Sequence, residues 1–406
     1  MAGLETIRGL TQCERRAAGS DAERRAANWL RDQLQARGRT ATIEPFWYRP
    51  NWALAHAWHV ALGLAGSLIA VGEARVGGGL ILVALISIFA DALLGYSLGR
   101  RLTPEHASQN VVSEPPDSER SKRVRLIITA NYDAGRTGLV FRDRPRRAAA
   151  RLSRRSRGIS PGWLGWITIA LIWLEVTAII RLGGAGGTGI GLAQLLPTVG
   201  LVLTLAALVD VASAEFSPAA GDNASGVAVA IALTRALDAA APRNAHVELV
   251  LQGGSDGAAI GLRHYLRARK QERRPTNAVV LGIAPCPQGD IHWWTSDGPL
   301  VPLRFFAQLQ QHAALLAEQE PELHLRPHHG RGTSPALAAR IKRFPAIPIG
   351  ALDERGLPPH SHQMSDTADT IDESTLDRAV EAALLLVDKI DAGLGRAGAP
   401  PVAAAS

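Results

Sequence analysis

Four apolar windows constrain this chain more than any other feature. Residues 53–72, 76–98, 163–180 and 189–209 are each about long enough to cross a bilayer as a helix. The first and last are uncharged, the second carries only Asp91 and the third only Glu175. A buried core helix is usually shorter and shows a polar face, so the windows read as membrane spans. Short glycine-rich turns at 72–79 and 181–188 join them into two hairpins. A hairpin returns the chain to the side it left, so every long polar stretch is expected on one face of the membrane.

Charge decides which face. The net charge is +7, and its distribution matters more than its total. Arg100 and Arg101 follow the first hairpin; Arg142, Arg144, Arg146, Arg147, Arg151, Arg154, Arg155 and Arg157 precede the second. The hairpin turns hold only Arg75 and Arg181. Positive residues flank spans on the cytoplasmic side, so the polar domain is expected in the cytoplasm. The Ala- and Arg-rich composition suits a bacterial chain and hence an inner membrane. Beside a span, the 142–157 run is read as a contact with anionic headgroups, at about 1 kcal/mol per residue, in preference to nucleic acid. Asp91 and Glu175, inside spans, are costly there and mark a function if charged. Cys13 and Cys286 have neither disulfide nor zinc-ligand spacing and read as isolated thiols.

The polar remainder alternates helix and strand. Amphipathic helices are expected at 21–37 and 375–394, further helices at 227–237 and 260–269, and strands at 40–48, 124–130, 246–251, 278–283 and 344–352. This pattern predicts an α/β fold with a mixed, largely parallel sheet flanked by helices, interrupted by the two hairpins. The expected division is 1–51, 100–160 and 213–396 for the α/β domain, 52–99 and 161–212 for the hairpins, and 397–406 for a disordered tail. Polar motifs fall just after strand ends, where such sheets place their sites.

Three of those motifs are Asp222-Asn223-Ala224-Ser225-Gly226, the segment 253–265 (GGSDGAAIGLRHY), and His362-Gln363-Met364-Ser365-Asp366-Thr367. In order and surroundings they resemble the family-28 zinc aminopeptidases, which are di-zinc exopeptidases and include inactive relatives. The resemblance implies that Asp222 corresponds to the aspartate bridging two zincs, Asp256 to a carboxylate ligand and His362 to the last histidine ligand. It also implies losses. A His-x-Asp strand end becomes Asn131-Tyr132-Asp133, with Asp133 behind the site. The general-base glutamate becomes Ser255, and the strand at 278–285 ends without an acid.

One zinc position therefore keeps only Asp222, which is too few ligands. The other retains Asp222, Asp256 and His362, so at most one zinc ion is expected. Ser255 is no general base near neutral pH without a base of its own, and losing one costs about 10²–10⁴-fold. His264, Asp133 and His360 are candidate substitutes; His324, His328 and His329 read as an exposed Pro-rich loop. The expectation is a membrane-anchored pseudo-peptidase that binds a peptide or protein partner. The alternatives are a mono-zinc hydrolase, and a transport role for helices carrying Asp91 and Glu175.

Overall fold

The computed structural model describes residues 2–115, 124–155 and 161–397. Arg157 and the expected tail beyond residue 397 lie outside them. Among the described residues thirteen α-helices run in chain order: α1 (Ala2–Thr11), α2 (Asp21–Gln35), α3 (Trp52–Ile69), α4 (Ala74–Leu94), α5 (Leu98–Arg101), α6 (Asp143–Arg155), α7 (Gly162–Leu182), α8 (Thr188–Ser213), α9 (Gly226–Ala239), α10 (Ile260–Ala268), α11 (Ala307–Gln319), α12 (Leu337–Ile341) and α13 (Glu373–Ala397). The strands are β1 (Thr40–Tyr48), β2 (His106–Glu114), β3 (Val124–Asn131), β4 (Ala245–Gln252), β5 (Ala278–Ile283), β6 (Asp290–Asp297), β7 (Leu303–Arg304), β8 (Arg326–His329) and β9 (Ala346–Leu352).

One mixed sheet takes the order β1-β2-β4-β3-β5-β9-β6-β7, with β8 beside β6. Its centre, β4-β3-β5-β9, is parallel. Every residue of β4, β5 and β9 is buried; β5 and β9 accordingly read as apolar runs, whereas β4 also buries His246, Glu248 and Gln252. Helices α1, α2, α9, α11 and α13 cover one face, around Leu30, Leu126, Ile128, Leu233 and Leu386. On the other face α10 and α12 bury Leu262, Tyr265 and Ala338 over Ile127 and Val280. Each leucine, isoleucine or valine among them contributes about 1.5–3 kcal/mol by leaving water.

Two departures from the sequence reading concern polar strands. β2 lies between β1 and β4 and was missed because His106–Gln109 is polar; there Ser108 and Gln109 are buried by side-chain bonds to Glu23 rather than by apolar packing. The 324–329 segment is not an open loop. It contains β8, paired with β6, and the His328 ring packs edge-on against Trp294, 5.0 Å between centroids.

Among the described residues, helices α3, α4, α7 and α8 are long and apolar enough to cross a membrane. They touch in the cyclic order α3–α4–α7–α8. Between α3 and α4 the backbones meet at glycine: a Cβ on Gly77 would lie 2.5 Å from the Gly66 carbonyl, so only glycine permits this approach. Leu85, Ile88, Leu171 and Leu201 fill the centre of the bundle. Leu82, Ile86, Ile172, Val176, Leu196 and Leu203 face outward and exposed.

Polar groups punctuate the bundle. Near the sheet, Asp91 of α4 accepts from Arg100 Nε at 2.6 Å and Nη2 at 3.1 Å, and stands 3.3 Å from His56 Nε2. His56 Nδ1 meets His59 Nδ1 at 3.3 Å, and His59 Nε2 meets Ser87 Oγ at 2.8 Å. Toward the other end, Gln194 of α8 donates to the Ser67 carbonyl of α3. Glu175 lies against Gly78, thirteen residues before Asp91 on α4, which is about 20 Å along the helix. The two acids of the apolar helices therefore do not meet.

Candidate functional site

The motifs converge at the carboxyl ends of the parallel strands. β3 delivers Asn131 and, two residues on, Asp133. β4 delivers the turn containing Ser255 and Asp256. The segment Ala220–Ser225 carries Asp222 into α9, and the loop after β9 carries His360, Ser361 and His362. Arg16, 1% exposed, ties the base together. Its guanidinium donates to the carbonyls of Leu10, Tyr132, Pro218 and Ala219.

Asp133 is fully buried and acts as an anchor. It accepts from Ser255 N at 2.8 Å, Asp256 N at 3.1 Å and the Ser255 hydroxyl. Burial pushes its carboxyl up to about 6, against the pull of the Ser255 hydroxyl. Ser255 thus has the carboxylate partner that sequence could not supply. Yet the hydroxyl is 1% exposed and points inward, which makes it a clasp for the turn. Asp366 does similar work for Asp222, accepting from Gly221 N at 2.6 Å and Asp222 N at 3.0 Å, and burial raises it to about 7.

The remaining groups face one another across the cleft. His362 Nε2 lies 3.7 Å from Asp222 Oδ2, which also accepts from the Ser361 hydroxyl. His362 Nδ1 is 2.7 Å from the Arg136 carbonyl, which sets the ring's tautomer, and the ring stacks on Phe141 at 4.4 Å. Burial lowers the basicity of His362, but Asp222, Asp256 and the Arg136 carbonyl outweigh it and leave the imidazole more basic than usual. Asp256 accepts from the indole Nε1 of Trp52 at 3.0 Å, and burial raises its carboxyl. Four non-glycine residues here have left-handed backbone: Ala219, Ala259, His360 and His362, with φ between 48° and 59°. Such strain persists only where the surroundings impose it, and it clusters at functional sites. Beside His360 a cavity of about 180 Å³ opens, with Asp143, Arg146, Asp353 and Arg355 in its wall.

Other expected participants stay apart. His264 stacks on Phe46 beside β1. His360 bonds Ser365 and lines the cavity. His324 stands 3.8 Å from Asp290, and His329 bonds Thr295. Sequence reading missed Trp52, Arg136, Phe141 and Ser361, none of which belongs to a motif; Trp52 directly precedes the 53–72 window, in the stretch 52–99 read only as a hairpin.

The residues do not fit the two-zinc centre that the resemblance implies. The Asn131 side-chain oxygen is buried without a partner where a ligand imidazole is expected, and β5 runs out through Ile283, Ala284 and Pro285 with no acid. For a single ion, Asp222 and His362 are adjacent, but Asp256 is engaged by Trp52 and Asp222 by Ser361. Among the described residues no three His, Cys, Asp or Glu side chains are arranged to hold a metal. No chemical step is therefore assigned to one.

Comparison with known proteins agrees with the architecture. Residues 201–387 match the model of peptidase family M28, whose members typically bind zinc. No curated protein matches the chain. Among solved structures, LapB of Legionella pneumophila superposes with a TM-score of 0.52 at 12% identity, covering 96% of this chain and 71% of that one. A glutaminyl cyclase of Fimbriiglobus ruber gives 0.52 at 12% identity over 95% and 94%. A leucine aminopeptidase precursor of Bacteroides thetaiotaomicron gives 0.51 at 13% over 95% and 96%. Identities this low establish fold alone. The chain has the fold of these aminopeptidase and glutaminyl cyclase structures, and its residues 201–387 match the peptidase family M28 model.

Proposed function

We propose that this protein is a membrane-anchored member of the M28 fold whose cleft binds a polypeptide partner without efficient hydrolysis. The observation that carries this reading is the Ser255–Asp133 pair. Where the family resemblance places a general base, a buried hydroxyl is turned away from the cleft and donates to a buried carboxylate. Neither group is positioned to take a proton from water in the cleft. The absent second ligand set supports the same conclusion.

The anchoring reading rests on the four apolar helices and on what surrounds their sheet-side ends. Trp47, Tyr96, Leu98, Leu102, Leu139, Val140 and Leu152 are all well exposed there, beside the exposed arginines of α6. Apolar and aromatic side chains mixed with arginine match a headgroup layer, and we assign anionic lipid as the contact of α6 and the cytoplasmic side to the domain. The transport alternative loses support from the separation of Asp91 and Glu175 and from the pairing of Asp91 with Arg100.

A second reading has one observation in its favour. His362 binds a backbone carbonyl through Nδ1 and turns Nε2 toward Asp222, the arrangement of a metal-ligating histidine. The test is metal analysis of the full chain in nanodiscs, with assays for aminopeptidase turnover and for cyclisation of N-terminal glutamine. The expected result is substoichiometric zinc and no turnover. Stoichiometric zinc with turnover abolished by Asp222→Asn would establish the single-ion enzyme and end the pseudo-peptidase reading.

A further inference from the structure

Two side chains of the cleft are held by two different helices of the apolar bundle. On one side, Trp52 is the first residue of α3, and its indole donates to Asp256 at 3.0 Å. The ring is wedged against the β4–α10 turn: a Cβ on Gly257 would come within 2.4 Å of it, at a backbone φ of +77° that suits glycine. On the other side, His362 takes its orientation from the Arg136 carbonyl and Phe141. The loop bearing them is fastened to the end of α8, through Arg136 to the Ala214 carbonyl at 2.7 Å and Leu139 N to Asp210 at 2.7 Å.

The bundle fixes Trp52 as firmly as the cleft does. Its ring packs on Trp163 at the start of α7, with centroids 5.1 Å apart. One turn along α3, His56 contacts the same Trp163 and is anchored to Asp91. Asn51 caps α3 at Leu54 N and reaches the Ala212 carbonyl of α8. Asp256 in turn has its own backbone held by Asp133, so its carboxylate can follow the indole only by changing its position relative to His362.

We infer that Trp52 is a positioning residue, through which the first apolar helix sets where Asp256 stands relative to His362, so that the cleft responds to how the bundle is seated. This rests on the reading of the four helices as spans and of the cleft as the binding site. Spans tilt to match bilayer thickness at modest cost. A tilt of α3 about its Asn51 bond to α8 changes the spacing of the two sides of the cleft, because Asp256 is bonded through Trp52 to α3 while the loop holding His362 is bonded to α8.

Hydrogen exchange of the full chain, in nanodiscs of short-chain and of long-chain phosphatidylcholine, tests this without any ligand. In the wild type, exchange in residues 253–261 and 358–366 should differ between the two bilayers while β4 stays unchanged. Trp52→Phe keeps the aromatic packing and removes the N–H, and it should abolish the difference. Asp256→Ala breaks the same bond from the cleft side and should do the same, which covers the case in which Trp52→Phe fails to fold. Trp163→Phe should preserve the difference. No bilayer dependence in the wild type, or dependence surviving both Trp52→Phe and Asp256→Ala, overturns the proposal. Loss in Trp163→Phe as well assigns the effect to ring packing and also overturns it. Failure of the binding reading has a separate signature: bilayer dependence persists while no polypeptide alters exchange in the cleft.

Discussion

The indole of Trp52 donates a 3.0 Å hydrogen bond to the carboxylate of Asp256, joining the first residue of an apolar helix to the turn that follows β4. The two residues are 204 positions apart in sequence. Two insertions that look like anchors are thus built into the wall of the cleft. Around this junction the fold makes four further commitments that experiment can check.

Arg16 is buried among four backbone carbonyls from three segments: Leu10, Tyr132 between Asn131 and Asp133, and the neighbours Pro218 and Ala219. Removing it takes the guanidinium donor from all four, and only the Leu10 and Ala219 carbonyls retain a backbone donor, from Cys13 N and Ala224 N. Arg16→Ala should lower unfolding stability by about 3–5 kcal/mol in chemical denaturation of the detergent-solubilised chain. A loss under 1 kcal/mol would mean that water replaces the guanidinium without penalty.

Gly135 sits under the His362 ring. A Cβ there would lie 2.3 Å from Cε1 and 2.6 Å from Nδ1. Gly135→Ala should therefore expel the ring from its bond to the Arg136 carbonyl, at a cost of about 1–3 kcal/mol from overpacking. The histidine resonances, assigned with His362→Gln, report whether the ring has moved.

His362 should titrate above the ordinary histidine range, because Asp222, Asp256 and the Arg136 carbonyl overcome the opposing effect of burial. A folded-state pKa raised above the unfolded value stabilises the protein fully below the unfolded value, near 6.5, and that contribution fades as pH rises through the folded value. Asp222→Asn removes one negative charge and should lower the pKa in an NMR titration. An unchanged value would show that the carboxylate does not face the ring.

Asp91 and Arg100 form an ion pair whose side chains are 3% and 4% exposed, with His56 as third member. Asp91→Asn alone leaves an uncompensated guanidinium and should cost about 3 kcal/mol. Adding Arg100→Gln should restore a large part of that loss, a non-additivity that a double-mutant cycle measures. Simple addition of the two losses would place the pair in water.

Much of the frame was legible beforehand because its signals are local. The four long helices follow from the length and apolarity of their windows, and the central strands from short apolar runs. The helices at 21–35 and 373–397 follow from periodicity and, for the second, from the capping run Asp372-Glu373-Ser374. β2 and β8 were not legible, since each is rich in polar residues. Ser108 and Gln109 are paid for by a buried glutamate eighty-odd positions away, a contact that no window contains.

The sequence by itself determined what is missing against the family resemblance: an imidazole at Asn131, a carboxylate at Ser255 and an acid after β5. Those absences are matters of residue type and need no coordinates. Only the tertiary structure decided what the remaining residues do. It turned Ser255 inward onto Asp133, set His362 beside Asp222 and brought Trp52 to Asp256. Each of these contacts joins segments from 122 to 204 residues apart. Their directions depend on side-chain burial and on backbone strain at positions such as His362, which chain-local patterns do not encode.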